Sequence, residues 1–554
     1  MTKNLLRVAA FTLGSIYCLH AQNTVGLLSY NPYKSFDGYN LMYPHNQPNV
    51  YLLDNCGEIV HVWPDSGIYR PGNTAYLLPN GNLVKTKRLA SVAGNPIWTG
   101  GGGAIIEMRD WDNTLLWQFE RNDANYRLHH DIEVMPNGHI LAIQWEAKTV
   151  AECLAAGRDS NLLTSGVLWP DGVIEIDPAT GQVVWEWHVW DHLVQDFDAT
   201  KANFGVVGDH PELVDFNFGL SSNGASWMHT NAIDYQPDND LILISVPTFS
   251  EVWVIDHSTT TAQAAGHFGG FGGRGGDLLY RWGNPQAYRA GTAADQKLFF
   301  QHDPHWALDF LTPNHPQFGK IAVFNNRAGA DYSTVNVFNP GFDMYSWAFP
   351  FANGMYGPTD FDVTITHPNP QLMYSTGLSS VQVLPNGNYL ICSGQSGYSF
   401  EITPAGEIAW EYVTPLRNGA PATQGDSIAL TQNNTFRMNR YPVAYAAFTG
   451  KDLSGKGWIE LNPDSTLCAT ILPTNNLPDA YGLKLYPNPA TDMVTIEWQQ
   501  GMYVLVEIFD LLGRRKAALR LNGGREYLDV ADWQAGLYFV VINGKEVRKL
   551  VLER

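Results

Sequence analysis

The sequence predicts an all-β protein, a six-bladed β-propeller followed by a small C-terminal β-sandwich. Three observations predict it. Two kinds of hairpin alternate along most of the chain, and after Thr474 this pattern gives way to shorter alternating strands. The composition agrees: 52 Gly, 32 Pro, 18 Trp, 26 Tyr and 25 Phe with 16% charged residues suit many short strands joined by tight turns.

The first hairpin is a strand, a Pro-Asn-Gly-type turn and a strand, as in TAYLLPNGNLVKT (74–86), DIEVMPNGHILAI (131–143), AIDYQPDNDLILIS (232–245), ALDFLTPNHPQFGKIAVF (307–324) and SVQVLPNGNYLICS (380–393). The second ends in an aromatic, as in VYLLDNCGEIVHVW (50–63), IIEMRDWDNTLLWQF (105–119), VIEIDPATGQVVWEW (173–187) and SFEITPAGEIAWEY (399–412). Gly and Asn accept the positive φ such turns require. Four strands per unit make a propeller blade. A weaker pair, SIALTQNNTFRMN with GWIELNPDSTLCATIL, is expected to supply the sixth, with Asn23 to Trp63 adding outer strands that close the ring. The segments 146–158 and 188–205 read as helical insertions, and the glycine-rich stretches 99–103 and 268–277 as flexible loops, since neither carries a phosphate-loop Gly-Lys-Ser/Thr.

Residues 1–22 have the basic start and apolar run of a secretory signal peptide; Cys18 lacks the small residues before it that lipidation requires. The expected domains are then the propeller (23–473), a linker (474–481) and the tail (482–554). No later run reaches the ~18–20 apolar residues of a membrane span. A net charge of −20 without a basic stretch argues against nucleic-acid binding. Cys56, Cys153, Cys392 and Cys468 form no CxxC pair, and either a disulfide among them or four free thiols fits an exported chain.

The chemistry concentrates in histidines. His130, His229 and His302 each open an inner hairpin, so equivalent positions in three blades bring three imidazoles together. Asp131 and Asp303 follow directly and either orient imidazoles or pair structurally; His305 reads as structure or support. Three convergent histidines also suit a zinc ion and a hydrolase or lyase, although no HxH or HExxH spacing accompanies them. His188 and His192 are i,i+4 on an expected helix and read as capping or solvated groups rather than metal ligands.

The tail resembles the type A C-terminal sorting domain of the type IX secretion system of Bacteroidetes, through Tyr486-Pro487-Asn488-Pro489, Phe509-Asp510 with Gly513-Arg514, Leu528-Asp529, Gly536-Leu537-Tyr538 and Lys549-Leu550-Val551. The resemblance implies two-step export, removal of the tail, and secretion or surface attachment. The body, through His130-Asp131, His229-Thr230-Asn231, Gln301-His302-Asp303 and Phe436-Arg437-Met438-Asn439-Arg440-Tyr441, resembles the arylsulfate sulfotransferase family. That resemblance implies a six-bladed propeller that moves a sulfuryl group from a phenolic sulfate ester to a phenol through a sulfo-histidine, without cofactor, metal or nucleotide donor. It makes His302 the nucleophile and sets His130, His229 and Asn231 around the sulfuryl oxygens.

One departure stands out. Pro247 falls where the family carries an arginine, leaving Arg327, Arg281 or Arg289 as substitutes. Arg327, Asp303 and Asp131 are the expected further substrate-binding residues. The rival reading is a non-catalytic surface propeller whose funnel binds a glycan or peptide.

Overall fold

The structure is a computed structural model and describes residues 23–219, 224–469, 483–498, 504–510, 514–521, 524–542 and 546–553. The expected signal peptide and linker lie outside the described residues. The chain divides into two compact units, one through Cys468 and one from Ala469.

The first unit is a β-propeller built on six antiparallel sheets of four or five strands. From the axis outward, blade 1 is Tyr69–Leu77, Leu83–Leu89, Ile105–Arg109 and Leu115–Glu120, and blade 2 is Tyr126–Val134, Ile140–Glu146, Asp171–Asp177 and Gln182–His188. Blade 3 is Ala232–Gln236, Leu241–Val246, Glu251–Asp256 and Tyr280–Trp282; blade 4 is His302–Trp306, Ile321–Asn325, Thr334–Phe338 and Val363–Ile365. Blade 5 runs through Ser380–Val383, Tyr389–Ser393, Tyr398–Ile402 and Ile408–Val413, then takes Gly26–Tyr30 as a fifth strand. In blade 6 the inner strand Thr435–Pro442 pairs with Gly38–Pro44, which leads to Val50–Leu53 and Ile59–Trp63. The N-terminal segment therefore closes the ring from the outside.

Apolar packing explains why strands such as LILISV and EVWVID lack strict alternation. Both faces of each sheet are covered, so hydrophobic clusters fill the spaces between blades: Leu141, Val173 and Trp187 meet Ile233, Ile244 and Trp253, while Leu243, Val254 and Trp282 meet Trp306, Val323 and Phe338. The Pro-Asn-Gly turns are one structure used three times, with Gly81, Gly138 and Gly387 at φ of 88°, 88° and 89°.

The inner strands are also latched in sequence around the axis. Tyr76 donates to Asp131 Oδ1 (2.7 Å), Ile233 N–H to Asp131 Oδ2 (3.3 Å), Trp306 N–H to Asp234 (2.6 Å), Val381 N–H to Asp303 (2.9 Å), Arg440 N–H to Gln382 (2.7 Å) and Leu77 N–H to Tyr441 (3.0 Å). Each side chain satisfies a group of the next blade that its own sheet leaves free.

Three expectations change, and one holds. The inner strand of blade 4 is His302–Trp306 rather than a strand starting at 307, because Trp306 ends the pairing and Phe310 turns at a φ of 61°. The GWIELNPDS segment forms no named strand, since the N-terminus already supplies blade 6's outer strands. The first helical insertion holds a short helix, Val150–Ala155, started by a Thr149–Glu152 capping box. The second is no α-helix but a 3₁₀ turn, Val189–Asp191, because His192 is drawn into packing on the fold.

Cys56 and Cys468 form a disulfide, while Cys153 and Cys392 are buried thiols. The bond ties blade 6's N-terminal strands to the chain beyond its inner strand. Cys56→Ser is expected to lower stability by about 2–4 kcal/mol in urea unfolding, with no further loss on adding reductant.

The second unit contains a three-stranded sheet (Lys484–Tyr486, Met493–Glu497, Arg525–Asp529) and a four-stranded one (Arg515–Leu521, Val504–Asp510, Gly536–Ile542, Glu546–Leu552). Val494 and Ile496 of one share a core with Ile508, Val540 and Leu550 of the other, which makes the expected sandwich.

Candidate active site at the propeller axis

The three histidines enter from the starts of blades 2, 3 and 4, where the backbone leaves regular geometry. His130 and His229 sit at φ of 52° and 57°, and the His302 strand carries a bulge in which Asp303 has a φ of 56°. Left-handed φ at non-glycine residues is strained, and here it turns imidazoles toward the axis. The rings of His130 and His229 meet edge to face at 4.7 Å, and Phe436 lies 6.3 Å from both His130 and His302.

Every one of the three has its Nδ1 engaged. His130 Nδ1 meets His129 Nδ1 (2.8 Å), His229 Nδ1 meets Ser226 Oγ (3.0 Å) and His302 Nδ1 meets Asn326 Oδ1 (2.8 Å). Asn326 uses its amide N–H groups on the carbonyls of Ser375 (3.0 Å) and Leu378 (2.9 Å), which fixes its oxygen toward His302. Nδ1 of His302 therefore carries the proton and Nε2 the lone pair, which accepts from Leu378 N–H at 3.1 Å. His129 faces Asp171 Oδ1 through Nε2 at 3.7 Å and stacks on Trp145 at 4.1 Å. An Nε2–H tautomer there leaves its Nδ1 to accept from His130, whose Nε2 is then unprotonated.

Burial keeps these imidazoles neutral. It pushes His302 down to about 3 and His229 to about 4, and it holds His130 and His129 well below the usual histidine range, with the neighbouring histidines adding to the effect. Burial raises Asp171 to about 7.

The other expected residues divide. Asn231 is buried and donates to the Gln301 carbonyl (2.9 Å), so it braces the approach to His302. Asp131 and Asp303, expected as further substrate-binding groups, both bond Arg437 Nη2 (2.8 and 2.6 Å), and each also accepts the backbone N–H described above. His305 lines an axial cavity of about 280 Å³ with Glu133, Asp234, Asp303 and Arg437, a cavity the three histidines do not line.

Among the arginines, Arg281 is spent on Glu251 and Arg289 on Asp215. Arg327 is exposed, stacks on Phe300 at 3.9 Å, donates Nε to Thr376 O (3.1 Å) and acts electrostatically on His302. It makes no ion pair among the described residues. Sequence reasoning missed His129, Asn326 and Asp171. It also missed Arg88 and Arg127, whose guanidiniums each lie 4.8 Å from the Trp98 ring; Arg88 acts on His45, which acts on His130. The contiguous Arg127-Leu128-His129-His130 was the available signal, since a strand bulge lets neighbours share a face.

The fold is thus a β-propeller with a cluster of buried imidazoles at its axis, and the chain continues into a small β-sandwich. The chain belongs to the arylsulfotransferase (ASST) family, whose model matches residues 32–414, more than half of its length. Residues 484–553 match a secretion system C-terminal sorting domain of the type IX route, so the protein is secreted or held at the cell surface. No curated protein matches. Solved structures similar to it include a protein of unknown function from Bacteroides caccae (12% identity, 68% of this chain and 93% of that chain, TM-score 0.35) and the periplasmic gluconolactonase PpgL of Pseudomonas aeruginosa (13%, 73% and 99%, 0.33). A virginiamycin B lyase from Staphylococcus aureus is similar at 10% identity, over 67% and 83% of the two chains, with a TM-score of 0.30. No helix among the described residues is long and apolar enough to cross a membrane.

Proposed function

We propose that the protein transfers a sulfuryl group from a phenolic sulfate ester to a phenol through a sulfo-histidine on His302. The observation that supports this most is the ordered set of axial imidazoles, with the tautomer of His302 set by Asn326. Three buried imidazoles from three blades have Nδ1 engaged, and His302 Nε2 holds a lone pair fixed by Asn326.

In this reading Nε2 of His302 exchanges its bond from Leu378 N–H for the sulfur of the ester. The N–S bond forms as the S–O(aryl) bond breaks, and the electron pair leaves on the phenolate. Asn326 Oδ1, accepting from Nδ1–H, stabilises the positive charge that develops on the ring. The acceptor phenol then gives its proton to His130 Nε2, backed by His129 and Asp171, and its oxygen takes the sulfuryl group, freeing His302. His229 and Arg327 face the sulfuryl oxygens. Preorganised donors of this kind supply most of the rate in such reactions.

Incubating the mature protein with a fluorogenic aryl sulfate, with and without a phenol acceptor, tests the proposal: acceptor-dependent release is expected. Absence of release would favour the glycan- or peptide-binding propeller. The pH profile is a second check. Because burial holds His302 near 3 and His229 near 4, both stay neutral at pH 5, so the acid limb of kcat/KM is expected below pH 5 rather than near the ordinary histidine value of ~6.5. Arg327→Met is expected to lower kcat/KM about 10–100-fold and weaken inhibition by inorganic sulfate; unchanged sulfate inhibition would remove Arg327 from the site.

A further inference from the structure

On the rim of the propeller, away from the axial histidines, a second cluster joins blades 2 and 3. His192 follows the outermost strand of blade 2, while His267 and Asp277 belong to the long loop before the outermost strand of blade 3. Among the described residues, these three alone bring metal-ligating atoms of three side chains within 4.8 Å of one another. His192 Nδ1 lies 2.8 Å and His267 Nδ1 2.7 Å from the same oxygen, Asp277 Oδ1.

The donor–acceptor count at His192 is what points to a cation. Its Nε2 is 2.8 Å from the carbonyl of Ala264, which can only accept, so Nε2 carries a hydrogen. A neutral ring then offers a lone pair at Nδ1, directly opposite a carboxylate oxygen that is also an acceptor. Two acceptors at 2.8 Å need a cation between them, either a proton or a metal ion. An Nε2–H bonded to a carbonyl is also the second-shell arrangement that orients a ligating imidazole.

The surroundings are built for this contact. Trp187 stacks parallel to His192 at 5.7 Å and donates Nε1 to Gly276 O (2.7 Å). A Cβ at Gly276 would lie 1.9 Å from Ala264 O and 2.6 Å from His192 Nε2, so only glycine brings the loop this close. The stretch expected to be a flexible loop is hydrogen-bonded through Gly275 N–H to Gly269 O (2.9 Å) and Gly276 N–H to Gly266 O (3.0 Å). His192 is fully buried, whereas the His267 side chain is 52% exposed, which gives an ion a way in and leaves room for water ligands.

We propose that His192, His267 and Asp277 bind a divalent transition-metal ion of the zinc type, which replaces the hydrogen between Nδ1 and Oδ1 and staples blade 2 to blade 3. Two imidazoles and a carboxylate suit Zn²⁺ rather than Mg²⁺ or Ca²⁺. Binding spreads the nitrogen–oxygen separations to about 3.3 Å, the edge of a tetrahedron with bonds of ~2.0–2.1 Å.

Titration of the metal-stripped full chain with Zn²⁺ is expected to give one equivalent bound and a higher melting temperature, and Co²⁺ the visible absorption of a tetrahedral site. His267→Ala, at an exposed position that leaves the fold intact, is expected to weaken binding at least about tenfold. Asp277→Asn should do the same, and His229→Ala should bind as the wild type does. No uptake by the wild type would mean that the bridging cation is a proton only and would overturn the proposal. So would loss of binding in His229→Ala with retention in His267→Ala, which would move the metal to the axis.

Discussion

His302→Ala is expected to abolish acceptor-dependent release of phenol from an aryl sulfate, by about 10³-fold or more in kcat, while leaving the melting temperature close to that of the wild type. Removing a nucleophile removes the covalent route itself, and catalytic groups acting as a unit lose most of their effect together. The side chain is only 3% exposed, and its contacts are Asn326, Leu378 N–H and the rings of Phe300 and Phe436, so its loss leaves a small polar hole on the axis rather than a broken core. Two further measurements isolate the role. A radiolabelled sulfuryl group should be trapped on the wild-type protein after donor alone and be absent from the variant. Asn326→Leu keeps the imidazole but frees its tautomer, and is expected to cost about 10–100-fold in kcat with little change in KM. If His302→Ala retains full activity or still traps label, the nucleophile is another group, and His130 becomes the first to test.

How far the sequence carried this picture depends on which forces wrote it. Hairpins set by Pro-Asn-Gly turns and aromatic-ended strands were legible because the signal is local: Gly81, Gly138 and Gly387 repeat one backbone conformation in three blades. The outer hairpins of blades 3 and 4 were not, since long insertions part Glu251–Asp256 from Tyr280–Trp282 and Thr334–Phe338 from Val363–Ile365. The axial histidines were legible as repeat-equivalent positions. Their supports were invisible for a different reason: Asn326 reaches His302 across 24 residues, and Asp171 lies two strands away from His129, on the far side of Ile140–Glu146. Asp131 and Asp303 looked like chemistry because each follows a histidine. Across the blades, Asp303 accepts Val381 N–H at Oδ2 and Arg437 at Oδ1, while Asp131 accepts Ile233 N–H and Arg437 at Oδ2 and the Tyr76 hydroxyl at Oδ1. Pro247, at the position where the resemblance expects an arginine, was fully legible; that Arg327 stacks on Phe300 and acts on His302 is tertiary geometry that no spacing encodes.

Arg437→Met is expected to be the most destabilising single change at the axis, at about 3–5 kcal/mol. The guanidinium donates to Asp131 Oδ2 and Asp303 Oδ1 and to the Tyr76 hydroxyl, and all three partners belong to different blades. Burial works against its charge, but the two carboxylates hold its pKa well above the ordinary arginine value. Methionine fills much of the volume and leaves two buried carboxylates without their cation, an arrangement that costs more than the ion pair was worth. The pH dependence separates this from a simple packing loss. Burial already raises Asp303 above the usual aspartate range while Arg437 opposes it, so the variant raises it further. A carboxyl whose folded pKa lies above its unfolded value is destabilising above the folded pKa, and the penalty is relieved as pH falls through it. Urea unfolding should therefore show the largest deficit near pH 8 and a smaller one near pH 5, and Asp303→Asn in the Arg437→Met background should recover part of it. A deficit that is the same at both pH values would assign the loss to packing, and one below about 1 kcal/mol would mean that the blades do not depend on this latch.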